Sequence, residues 1–61
     1  MTDGFSVWLR QAREEAGLAQ WQVAEMAGVS TPTICRWERG NRAPPHSARV
    51  LLERVLKRRK R

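Results

Sequence analysis

The chain predicts an all-α domain of four short helices, and three observations predict it. Apolar residues recur at three- and four-residue spacing in each segment, with no strand-like alternation anywhere. Glycine and proline fall between those segments and divide the chain into pieces of helical length. The length, 61 residues, allows one small domain, so the few large apolar side chains must share one core. Trp8, Trp21, Trp37 and Phe5 are assigned to that core first.

The first helix is read from Phe5, Trp8, Leu9, Ala12 and Ala16, with Thr2, Asp3 or Ser6 as its cap and Gly17 ending it. Its other face carries Arg10, Gln11, Glu14 and Glu15, so it is amphipathic and must lie on something. The second runs from Ala19 or Gln20 to Ala27, with Val23, Ala24 and Ala27 inward and Gly28 allowing a positive φ at its end. Val29 then drops into the core. The third starts at Ser30, whose hydroxyl suits an N-cap, and tolerates Pro32 because first-turn N–H groups lack intrahelical partners. Ile34 and Trp37 point inward, which at about 100° per residue sends Arg36 the opposite way, with Pro32, Cys35 and Arg39 around it. Gly40 stops it. After the loop at residues 41–45, a fourth helix runs from Pro45 or His46 to Leu56 or beyond, with Ala48, Leu51, Leu52 and Val55 as its apolar stripe.

Charge narrows the function. The chain carries a formal +6, unevenly placed. The first thirty residues set Arg10 and Arg13 against Asp3, Glu14, Glu15 and Glu25; the remainder sets all other Lys and Arg against Glu38 and Glu53. A basic half on so small a domain points to a polyanion, nucleic acid first. The bland alternative is a solvated basic tail, since residues 57–61 read KRRKR. A single cysteine, Cys35, excludes an internal disulfide, and Cys35 and His46 have no partners at metal-ligand spacing. Neither is assigned catalysis or metal binding, and Cys35 is placed at the rim of the binding face. No acid/base pair or activated nucleophile suggests an enzyme, and no cofactor or small-molecule ligand is expected. Without a leader-like N-terminus or a membrane-length apolar run, a reduced cytoplasmic setting is expected.

Two helices joined by the AGVS turn, the second carrying inward Ile34 and Trp37, form a helix-turn-helix pattern. One helix can enter a major groove while the other supports it. Arg36, Arg39 and Arg42 supply the charge this needs. At Arg13, Gly17, Leu18, Gln20, Ala24, Gly28, Val29, Ser30, Ile34, Trp37, Glu38, Gly40 and Pro44 the chain resembles the Cro/cI-type (XRE, lambda-repressor-like) family of phage and bacterial regulators. The match runs in unbroken register over about residues 9–45. It implies a lambda-repressor-like domain at 1–56, its helix-turn-helix at about 20–39 and its recognition helix at about 31–39, followed by a basic tail at 57–61. The family commonly adds a fifth helix for dimerisation; here a compact four-helix domain is expected, with a five-helix one as the alternative.

The resemblance also implies roles. Thr31, Pro32 and Arg36 would face bases, Arg36 donating two bonds to one guanine. Gln20, Ser30, Thr33, Arg39, Asn41 and Arg42 would follow the DNA backbone. Arg13 and Glu38 match a family pair that forms an internal salt bridge. Three departures stand out. Ala19 replaces a usual capping Ser or Thr. Trp21 occupies a usually polar position, where it covers the core edge, stacks on a sugar-phosphate or joins a subunit contact, the first being the ordinary choice. With no fifth helix, Val50 and Leu56, left over from the fourth helix's stripe, are offered as the symmetric contact.

The implied function is a dimeric, sequence-specific repressor on double-stranded DNA, covering a palindromic operator in its own or a neighbouring promoter. The alternative is an antitoxin-type module that autoregulates its operon and binds a toxin protein. RNA suits the motif less, because its major groove is deep and narrow.

Overall fold

Three helix ends share one hydrogen-bond pattern, and it sets the tight connections of the fold. In a computed structural model that describes residues 4–58, Val29 N donates to Ala24 O at 2.9 Å and Gly28 N to Glu25 O at 3.2 Å. These paired bonds satisfy carbonyls that a helix end leaves open. They require φ of +71° at Gly28, where an added Cβ would meet nothing within 4 Å, so the glycine serves the backbone alone. The same bonds recur after the first and third helices, from Leu18 N to Arg13 O and from Asn41 N to Arg36 O. In two of the three the residue after glycine is apolar, and Leu18 and Val29 pack against the core; in the third it is the exposed Asn41.

The elements are α1 (Gly4–Glu15), α2 (Gln20–Ala27), α3 (Thr31–Arg39) and α4 (His46–Arg58), with no strand among the described residues. The all-α expectation holds. α3 packs on α2 and α1, and α4 closes the other side of the same pair. Phe5, Leu9, Val23, Ala24, Ile34, Trp37, Leu52 and Leu56 form the buried core. Trp8 is half-buried at its edge, its ring tilted 32° to Phe5 with centroids 5.4 Å apart.

Two helix starts differ from expectation. Ser6 lies inside α1 and is buried, so it is not the cap; Thr2 and Asp3 lie outside the described residues. α2 begins without a capping side chain at Ala19, but Gln22 reaches back and its Oε1 accepts from Ala19 N at 2.7 Å. That is half of a capping box, supplied from the helix side.

The register of α4 also differs. Leu52 and Leu56, four apart, are the fully buried pair, with Ala48 half-buried behind them, while Leu51 and Val55 are only partly covered. Leu56, offered as a subunit contact, is 1% exposed and belongs to the core; Val50 is 41% exposed. The turn between Ala48 and Leu52 is filled by Arg49, whose guanidinium carbon sits 4.6 Å from the Phe5 ring centroid. A cation over an aromatic face, with its stem on apolar surface, substitutes for an aliphatic residue there. Apolar counting along α4 could not anticipate an arginine in the stripe.

Candidate nucleic-acid interface

α3 divides cleanly by face. Ile34 and Trp37 are buried, and across the helix Thr31, Pro32, Arg36 and Arg39 are exposed, with Cys35 half-buried between. Pro32 sits in the first turn, where its missing N–H costs nothing. Ser30 is the N-cap residue, but its side chain makes no cap bond to the backbone. Its hydroxyl instead pairs with the Thr33 hydroxyl at 2.8 Å. The expected hydroxyl cap is thus replaced by a side-chain pair, leaving the helix entrance without a side-chain oxygen on its N–H groups. Arg36 and Arg39 lie in the last turn, where cations suit the helix dipole. Asn41 and Arg42 follow beyond Gly40, both exposed.

Behind this face, one polar cluster fixes α3 against α1 and α2. Arg13 Nε donates to Glu38 Oε2 at 2.6 Å and Arg13 Nη2 to Glu38 Oε1 at 3.1 Å, a two-point fork. Arg13 Nη1 donates to Leu18 O at 3.0 Å, tying the fork to the α1–α2 turn. Gln20 Nε2 donates to Glu38 Oε1 at 3.1 Å. The side chains of Arg13 and Glu38 are 14% and 5% exposed, so the pair is largely removed from water. Its hydrogen bond with Glu38, joined by the charges of Glu38 and Glu14, outweighs the opposing effect of burial and raises Arg13 above the ordinary guanidinium range. A raised pKa stabilises the fold fully below the ordinary value and loses that only as pH passes the raised one, so this pair is constant through the neutral range.

Gln20 therefore has a structural partner that its position alone did not reveal. Trp21, by contrast, is 57% exposed and does not cover the core. At 100° per residue it lies about a third of a turn from the Val23–Ala24–Ala27 stripe, too far round to reach inward.

A short helix, a three-residue step with a left-handed glycine, and a second helix presenting arginines from a locked base define a DNA-binding helix-turn-helix protein. A family model described as helix-turn-helix matches residues 9–58. The chain belongs to that family, the XRE-type, Cro/cI-like proteins, and is a DNA-binding transcriptional regulator. No curated protein and no solved structure matches it. Among the described residues, no helix is long and apolar enough to cross a membrane.

Proposed function

We propose that the protein is a repressor that binds a palindromic operator as a dimer in the bacterial or phage-infected cytoplasm, covering a promoter of its own or a neighbouring operon. The observation that carries this reading is exposed Arg36 on a nine-residue helix whose opposite face is locked by Ile34, Trp37 and the Glu38 cluster. A guanidinium on a rigid helix suits the paired acceptors of guanine, and Thr31 and Pro32 suit a thymine methyl or a neighbouring base edge. Arg39, Asn41 and Arg42 leave the helix end along the phosphates, with Ser30 and Thr33 at its entrance and Gln20 at the start of α2. Residues 1–56 form the DNA-binding domain. The basic run at 57–61 adds salt-sensitive affinity without sequence preference; Lys57 and Arg58 end α4, and the rest lies outside the described residues. Val50 is the exposed apolar residue offered for the two-fold contact.

The test compares binding to a palindrome-containing promoter fragment with binding to scrambled DNA at physiological salt. Specific binding is expected, with half-sites about one helical turn apart. Arg36→Ala should remove about 1–3 kcal/mol of discrimination at one base position and leave the fold intact. Equal affinity of the parent chain for both fragments would sink the specific-repressor reading.

A further inference from the structure

Beside the recognition face lies a groove of about 250 Å³ lined by Arg10, Arg13, Gln20, Cys35, Glu38 and Arg39. A larger groove of about 540 Å³ shares Arg10, Glu38 and Arg39 with it and runs on along α1 past Gln11 and Glu14, whose carboxylate is paired with Arg10. The first groove thus joins the outer face of α1 to the start of α2 and the end of α3. Its one carboxylate is already engaged: Glu38 accepts the Arg13 fork and the Gln20 amide. What remains to meet a ligand is cationic, Arg39 from α3 and Arg10 from α1. Arg10 has one described partner, Glu14, with Nε 3.6 Å from Oε2 and side chains 67% and 56% exposed. An exposed pair of that kind is weak and is readily exchanged for a stronger acceptor.

We propose that this groove is a phosphodiester-binding site in which Arg10 extends the DNA contact onto α1. Resting on the DNA-binding reading above, it deepens that reading by adding a residue from outside the helix-turn-helix. Arg10 and Arg39 flank one backbone phosphate from two helices, and the Arg13–Glu38 fork neutralises the carboxylate that would otherwise repel it. A phosphate held from two elements fixes the tilt of the domain on the duplex, which the two helices of the motif alone leave freer. The contact carries no sequence information.

The test is a salt titration of duplex binding by the full chain and by Arg10→Gln, Arg39→Gln and Arg54→Gln. Arg54 is exposed on α4 and lines neither groove, so it controls for lowered net charge. Arg10→Gln should weaken every duplex severalfold and flatten the plot of log affinity against log salt by about one unit, as one lost phosphate contact does. Its thermal unfolding should match the parent's, and Arg54→Gln should leave the slope nearly unchanged. An unchanged slope for Arg10→Gln beside a reduced slope for Arg39→Gln overturns the α1 contact while leaving DNA binding intact. Equal loss in Arg10→Gln and Arg54→Gln, or a change of base preference in Arg10→Gln, overturns it as well. A parent chain that binds no duplex at all removes the DNA reading itself.

Discussion

α1 is held on two sides by different chemistry. Toward α3, where Ile34 and Trp37 share its core, it is joined in addition through a largely buried ion pair, Arg13 to Glu38, with Gln20 and Leu18 O completing the bonds. Toward α4 it is joined through apolar surface: Phe5 and Leu9 share the core with Leu52 and Leu56, and Arg49 lies over Phe5. The polar seam holds the helix that presents Arg36, and the apolar seam holds the helix on the other side. Apolar packing tolerates small shifts, whereas a two-point fork permits one geometry. The chain thus places its directional bonds where the orientation of a reading helix depends on them.

The largest effect should come from breaking the fork. Glu38→Ala leaves a guanidinium largely out of water, and loss of one partner of a buried pair costs about 3–5 kcal/mol. That equals the whole stability expected of a domain this small, roughly 3–5 kcal/mol. Circular dichroism at 25 °C should therefore show a chain that is mostly unfolded. Replacing both partners, Arg13→Met with Glu38→Leu, should restore folding, because apolar groups of similar volume need no partner. A Glu38→Ala chain that melts within a few degrees of the parent would mean the seam behaves like a surface pair.

The apolar seam should respond residue by residue, and that response checks the register of α4. Leu52→Ala and Leu56→Ala should each cost about 3 kcal/mol, since both side chains are fully buried. Val55→Ala should cost about 1 kcal/mol and Val50→Ala less still, measured by urea unfolding. The reverse order, with Leu56 silent and Val55 costly, would restore the stripe that apolar counting suggests.

The contrast also explains what could be read from the chain in advance. Helix ends were legible because Gly17, Gly28 and Gly40 impose a backbone geometry that other residues resist. The inward face of α3 was legible because Ile34 and Trp37 are large and correctly spaced. The face of α4 was not, since Leu51, Leu52, Val55 and Leu56 offer overlapping stripes and the choice depends on where Phe5 and Trp8 lie across the core. Trp21 was misplaced for a related reason: hydrophobicity argued for burial, but the angular position on α2 decided the outcome. In the binding face, the arginines were visible as residue types, whereas the Gln20–Glu38 bond and the groove reaching Arg10 are products of three helices meeting.

The smallest effect concerns the start of α2, a local counterpart to the polar seam. Gln22 Oε1 accepts from Ala19 N at 2.7 Å, but Ala19 has no oxygen to return a bond to the first turn. Gln22→Ala should cost about 0.5–1 kcal/mol, because it frees the Ala19 N–H in an exposed setting where water replaces part of the bond. Ala19→Ser should gain a similar amount by adding the missing acceptor for the N3 backbone N–H and completing the box. For a domain of this length 1 kcal/mol moves the melting temperature by about 4–8 °C, so thermal scans resolve both changes. Combined, the two should fall short of additivity, since the serine's gain depends partly on the Gln22 bond that holds residue 19 extended. Strict additivity would show that the two bonds act independently, and that α2 is fixed at its start by Gln20 and the Glu38 cluster instead.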